Sequence, residues 1–380
     1  MIDIKKEECC GCSACAQSCK LKCIEMLQDN EGFLYPVVNK EKCVNCGICE
    51  NVCPSINSKS VACDLKGYVA LSNDDKIREE SSSGGIFSLL AEYILKKDGI
   101  VIGAAFDRNL KVVHKVIREK KDLYKLRGSK YVQSDVKNTY KQAESYLKNN
   151  IKVLYSGTSC QIAGLRNYLN KDYEGLYTVD VLCHGVPTPK LLAQYFCEME
   201  KKYNSKIDNV YFRDKKNGWV NYSVEIKFEN GKIYRTIFNK DPYMRLFLNN
   251  ICLRPSCYQC RYNKLERNSD ITIGDCWGVE HTVPDFFDDK GTSVIITRTD
   301  KGNQLLNGIK ADLKYSECDI DYILPPDSGG RKACEAHVNR KKFFELLNQK
   351  ADFESLTRCL NITYKDRINR KIKSIFRINN

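Results

Sequence analysis

Eight cysteines near the N-terminus stand at two repeated spacings. Cys9-x2-Cys12-x2-Cys15-x3-Cys19 is followed by Cys43-x2-Cys46-x2-Cys49-x3-Cys53, the second run closed by Pro54. Three thiolates from one tight loop can cap three corners of an iron–sulfur cube, and the fourth, after a three-residue gap, serves the other cube. The spacing thus assigns Cys9, Cys12, Cys15 and Cys53 to one 4Fe–4S cluster, and Cys43, Cys46, Cys49 and Cys19 to a second. Structural zinc also takes four cysteines, but typically as two separated pairs. Lys20 stands where a proline commonly follows the fourth cysteine; the ligand itself is present. Cys10 and Cys23 fall outside the pattern and read as small buried hydrophobes.

A module of this size, residues 1–60, conducts electrons, so the rest of the 380-residue chain must supply the chemistry. With 42% hydrophobic and 29% charged residues, the composition is that of an ordinary globular protein. There is no apolar run of membrane-spanning length, and "MIDIKKEECC" lacks a secretory signal. A cytoplasmic location is expected. Disulfides rarely persist there, which favours metal or redox roles for clustered cysteines.

The elements that must position this chemistry are mixed. "IFSLLAEYILKK" (Ile86–Lys97) has helical spacing, with serines before it as caps and Asp98-Gly99 as a stop. "GIVIGAAF", "KVVHKVI", "IKVLYSG", "LYTVDVLC", "SDITIGD" and "TSVIITR" read as strands, and "CQIAGLRNYLN" as a helix between two of them. Strand, helix, strand at this length predicts a crossover unit and a partly parallel sheet. "NYSVEIKFENGKIYRTIF" predicts a hairpin turning at Asn230-Gly231. The expected fold is α/β: a small α+β ferredoxin-type domain over 1–60, a mixed-sheet α/β domain over 61–340, and a helical basic tail over 341–380.

Four segments of the larger domain stand out. "SSSGGIFS" leads small residues into a helix N-terminus, a phosphate cradle in form, although an ordinary helix cap explains the same residues. "RGSKYVQSD" adds a glycine, a cation and hydroxyls, as a solvated loop also would. "SGTSCQIAGL" is a strand-to-helix turn without the GxGxxG pattern. "LRPSCYQCRY" carries Cys257-x2-Cys260, half of a metal site.

Taken in order, "SSSGG", "GSKYVQS", "GTSCQIAGL", "VLCHGVPTP", "FRDKKNGW", "DPYMRLFL", "LRPSC" and "SDITIGDCWG" resemble the beta-subunit family of coenzyme F420 hydrogenase/dehydrogenase. The likeness runs from about residue 1 to 340. It implies a flavin and iron–sulfur oxidoreductase with bound FAD. On it, Ser82, Ser83, Gly84 and Gly85 would hold the pyrophosphate. Ser129, Lys130, Tyr131 and Gln133 would line the flavin, with Lys130 a donor to ring or phosphate, and Gly157, Thr158 and Gln161 would flank the same pocket. Cys160, Cys183, Cys257 and Cys260 all fall inside these motifs and would meet around a third 4Fe–4S cluster, with Cys276 a substitute ligand. The alternative is two buried thiols and a remnant or redox pair. Cys63, Cys197, Cys252, Cys318, Cys334 and Cys359 read as structural. His184 adjoins a proposed ligand and is the candidate proton donor, a structural hydrogen bond being the plainer role. Asp275 and Trp277 would border the active face.

The net charge is +13, and residues 1–60 hold seven Lys or Arg against eight Asp or Glu, so the basic excess lies in the rest. A basic surface suits an acidic redox protein such as reduced ferredoxin. No stacking-type nucleic-acid signature is present. In the tail, Ile368, Ile372, Ile375 and Phe376 form an apolar stripe among six Lys or Arg, a pattern suited to peripheral membrane contact or to packing on its own domain. Two functional classes follow. The first is a reductase passing electrons from ferredoxin through clusters to FAD and a small organic substrate, in surface-polysaccharide metabolism by family association. The second is an electron-transfer subunit of a larger hydrogenase or dehydrogenase complex, with deazaflavin F420 as hydride partner.

Overall fold

A computed structural model describes residues 1–58 and 64–361. Cys63 and the basic stripe of the tail lie outside the described residues. Among the described residues thirteen strands form three sheets.

The N-terminal unit holds a two-stranded antiparallel sheet, β1 (Ile24–Gln28) and β2 (Leu34–Val38), with short helices Ala14–Ser18 and Ile48–Asn51 directly behind the two thiol loops. The central sheet has eight strands: β3 (Lys66–Ser72), β4 (Ile100–Phe106), β5 (Val112–Ile117), β6 (Val153–Thr158), β7 (Leu176–Val181), β11 (Ile271–Asp275), β12 (Ser293–Thr297) and β13 (Leu313–Cys318). Their order is β13-β3-β12-β11-β7-β6-β4-β5. The run β4-β6-β7-β11 is parallel, and the flanking pairs are antiparallel. The third sheet is antiparallel, from β8 (Ile207–Asp214), β9 (Ser223–Phe228) and β10 (Ile233–Ile237). Its β9–β10 loop is the three residues 229–231, and the last, Gly231 at φ +79°, takes the left-handed position such a loop requires, so the expected turn is one residue longer than a two-residue Asn-Gly turn.

Strands β4 and β12 are almost wholly buried and β6 is buried over its first three residues, 153–155, which is why these stretches read as apolar runs. The helix Ile86–Leu95 is present, but its start differs from expectation. Gly85, at φ +91°, occupies the N-cap and no serine side chain caps it, so the serines are free to face elsewhere. The helix Ser159–Leu169 crosses from β6 to β7 and opens with a capping box of Thr158 and Gln161.

From residue 340 the chain is helical, over Arg340–Asn348 and Phe353–Arg358, but these helices do not stand apart. Phe343, Phe344, Leu347, Phe353 and Leu356 are buried in the core that also holds Tyr195 and Tyr243. Arg340 grips Glu31 of the N-terminal unit through both carboxylate oxygens, at 2.7 and 2.5 Å. No helix among the described residues is long and apolar enough to cross a membrane.

Candidate functional site

In the N-terminal unit Cys9, Cys12, Cys15, Cys49 and Cys53 are buried, Cys19 and Cys43 are half-buried, and Cys46 is exposed. Burial, then the neighbouring thiols of Cys9 and Cys53, push the Cys15 thiol up to about 12. Cys12 has Cys15 and Cys53 as neighbours, so the four thiols assigned to one cube occur together. In the other group the sulfurs of Cys19 and Cys23 lie 3.3 Å apart. That contact, with burial and the nearby Cys43, pushes Cys23 up to about 11. Cys23 is buried as expected, but it stands inside the sulfur group rather than beside it.

A second set of thiols comes from the ends of the parallel strands. Cys160 opens the helix after β6, Cys183 follows β7, and Cys257 and Cys260 lie on and just after the turn Pro255–Gln259. Burial, then Cys160 and Cys260, push Cys183 up to about 12. Burial raises Cys257 as well, with Cys183, Cys160 and Cys260 as its thiol neighbours. The four motif thiols therefore converge. Cys276 does not join them. It is buried in a separate core with Trp219 and Val279, where Cys318 is its neighbouring thiol. Two thiols that spacing did not mark do come close: Cys10 contacts both Cys12 and Cys160, and Cys334 points at the carbonyl of Cys257 from 4.0 Å.

Among the described residues no three His, Cys, Asp or Glu side chains close round one point as a single ion demands. A cube instead holds its thiolates apart at its corners, and an all-thiol donor set is what it takes. Arg254 agrees with an anionic occupant. It is fully buried, and its Nη2 reaches the sulfur of Cys9 at 3.5 Å.

A cavity of about 800 Å³ opens at the carboxyl ends of β6, β7 and β11, where ligands of open α/β sheets bind. One wall carries Cys160, Cys183, Cys257 and Cys260; another carries Ser82, Ser83, Gly85 and Ser129. Ser82 Oγ accepts from the Ser129 backbone N–H at 2.8 Å and from its hydroxyl at 3.0 Å, tying the two expected loops together. Behind this wall Lys215 donates to the carbonyls of Ser83, Arg78 and Lys290, so it is committed to the backbone, and burial, with Arg213 and Arg78 nearby, pushes it down to about 7. Gly84 is not on the wall: its N–H donates to Ser293 Oγ at 3.0 Å, and a Cβ there would stand 2.7 Å from the Ala70 carbonyl.

Several expected residues line the cavity in other roles. The Lys130 ammonium donates to the carbonyls of Lys125, Leu126 and Arg127 at 3.2, 3.0 and 2.7 Å. Its three protons are thus committed to the backbone rather than to a ring or phosphate, and burial pushes it down to about 7. Gln133 donates to the Cys10 carbonyl at 3.0 Å and accepts from Arg254 at 2.9 Å, so it holds the thiol loop. Gln161 accepts from the Thr158 N–H at 3.0 Å and donates to Ser134. His184 is bonded to Asn250 at 2.6 Å, and burial lowers its pKa, so it is neutral near pH 7. Tyr131 packs on Phe247 at 5.0 Å, and Gly157 and Thr158 form the turn beneath.

Two groups on or behind the wall, Arg213 and His114, escape the sequence patterns. Arg213 forks onto Asp275 at 2.8 and 3.0 Å, and its buried Nε has no hydrogen-bond partner. Trp277, half exposed on the wall, stacks at 4.5 Å on the buried Trp219, whose Nε1 donates to Asp275 at 2.8 Å. His114 is buried beneath Gly157, stacked on Tyr155. Arg213 lies within "FRDKKNGW" and Trp277 within "SDITIGDCWG", and nothing local marks His114. The cavity fits a dinucleotide in size, and its wall offers hydroxyls, cations and an unpartnered donor.

Two family profiles of the coenzyme F420 hydrogenase/dehydrogenase beta subunit match the larger domain. The profile of its N-terminal part matches residues 67–141, and that of its C-terminal part matches residues 151–322. A 4Fe-4S dicluster domain profile matches residues 8–57. A curated relative, coenzyme F420-dependent sulfite reductase of Methanocaldococcus jannaschii, is 30% identical over 278 residues, 70% of this chain. The chain spans 40% of that relative's length. A chain of the F420-reducing NiFe hydrogenase complex of Methanosarcina barkeri aligns with a TM-score of 0.44 at 21% identity, over 79% of this chain and 91% of that one.

Proposed function

The chain belongs to the coenzyme F420 hydrogenase/dehydrogenase beta-subunit family, and from that premise we propose that it is an electron-relaying oxidoreductase subunit exchanging hydride with a deazaflavin of the F420 class. One observation carries the reading: a single cavity has converging thiols on one wall and the serine–glycine loop on another. Bound 4Fe–4S clusters would supply one-electron steps, and bound FAD would couple them to a two-electron hydride transfer.

The chain's own residues order the relay. Cys46 and Val44, the latter 69% exposed, put the second thiol group at the surface, where a redox partner would dock. Cys9, Cys12, Cys15 and Cys53 would hold the next cluster, buried between the second and third thiol groups. Cys10, in contact with Cys12 and Cys160, bridges it to Cys160, Cys183, Cys257 and Cys260. Ser82, Ser83 and Gly85 would hold the pyrophosphate, and Tyr131, Arg213 and Trp277 would border the ring. Neutral His184 positions the loop after β7 rather than serving as an acid.

This second expectation fits better than a stand-alone, ferredoxin-fed reductase of polysaccharide metabolism, because the family description and the curated relative both name F420. The test is anaerobic purification with iron and flavin analysis, then F420 reduction followed by its absorbance with dithionite-reduced protein. Rapid F420 turnover that needs bound flavin supports the proposal. Flavin-replete protein inert toward F420 but active with reduced ferredoxin and an organic acceptor would reverse the choice.

A further inference from the structure

Three buried guanidinium groups in this protein are matched by carboxylates. Arg78 pairs with Asp288 at 2.6 Å, Arg213 with Asp275 at 2.8 Å, and Arg267 with Asp180 at 3.1 Å. Arg254 differs from these three. It is fully buried, yet every hydrogen-bond partner it has among the described residues is neutral as a free side chain or backbone group. Nε donates to the Cys9 carbonyl at 2.7 Å, Nη1 to Gln133 Oε1 at 2.9 Å, and Nη2 to the Leu34 carbonyl at 2.9 Å and to the Cys9 sulfur at 3.5 Å. The rings of Tyr35 and Phe33 stand 4.3 and 5.5 Å away. A buried cation without a counter-charge is strongly disfavoured, so this site is built for an anion.

The backbone makes room for it. Gly11 has φ +69°, and a Cβ there would stand 2.7 Å from Arg254 Nη1. Arg254 also lies three residues before Cys257, so one loop reaches both the first thiol group and the third.

We infer that Arg254 is a positioning residue that neutralises an iron–sulfur cluster held at Cys9 and raises its reduction potential. The inference rests on the reading that Cys9 is a cluster ligand. A four-thiolate cube is a net anion, and reduction adds a further negative charge. A buried cation and an N–H···S hydrogen bond therefore stabilise the reduced form more than the oxidised one. This makes the buried cluster a favourable acceptor for electrons arriving at the surface cluster.

The experiment is a redox titration of anaerobically purified full-length holoprotein, followed by electron paramagnetic resonance. Arg254→Gln is expected to move one cluster's midpoint to a more negative value and leave the others in place, with iron content unchanged. Arg254→Lys keeps the charge but cannot span carbonyl and sulfur together, so a smaller shift of the same cluster is expected. Cys9→Ser should abolish or alter that cluster's signal. Wild-type potentials in an iron-replete Gln variant, or an equal shift of all clusters, overturn the inference. If the Gln variant does not assemble, the Lys variant decides, and a wild-type potential there overturns it. If Cys9→Ser leaves every signal unchanged, it is the ligand reading that fails.

Discussion

A Cβ on Gly164 would stand 2.8 Å from the sulfur of Cys12. Gly164 lies one helical turn after Cys160, on the same face of Ser159–Leu169. The helix that presents a thiol of the third group is thus pressed against the loop of the first. Gly164→Ala should force the Cys12 loop outward, costing about 1–3 kcal/mol of stability. The expected result is loss of about one cube of iron, with slower electron transfer in whatever cluster remains. Full iron and wild-type reduction kinetics would show that the contact does not matter.

Cys257→Ser with Cys260→Ser should remove the third cluster alone. Three cubes correspond to about twelve irons and two to about eight. Iron analysis of reconstituted protein reads the difference. A wild-type protein that saturates near eight argues against a third cluster.

Ser82→Ala removes the acceptor for both the N–H and the hydroxyl of Ser129. The loss of these bonds should cost about 1 kcal/mol and loosen the cavity wall proposed to hold the flavin. Flavin released on denaturation should fall while iron stays constant. Unchanged flavin affinity would place the cofactor elsewhere.

His114 supplies a pH dependence. Burial holds it down to about 4, against an unfolded value near 6.5. Between these values the unfolded chain binds more protons than the folded one, so stability falls as pH drops through that window. The loss by pH 4 is roughly 3 kcal/mol at most. Denaturant midpoints measured from pH 4 to 7 should slope less in His114→Gln than in the wild type. Identical slopes would mean that other groups govern the acid limb.

The local parts of this protein are legible in its sequence. The paired thiol loops follow from spacing, because a tight loop brings nearby residues to one cube. The hairpin at Gly231 and the buried strands β4, β6 and β12 follow from turn chemistry and apolar runs. Strand β3 is not among the runs that read as strands, and it packs between β12 and β13. What tertiary structure decided is who meets whom. Cys160 and Cys183 meet because β6 and β7 lie side by side with parallel direction, and the Pro187–Leu253 bridge brings the loop of Cys257 to them. Arg254 reaches Cys9 across 245 positions, and Lys130 turns from the cavity to cap three carbonyls. Periodicity records which face of an element is buried, but strand order and the partners of a buried charge are settled by the whole packed core.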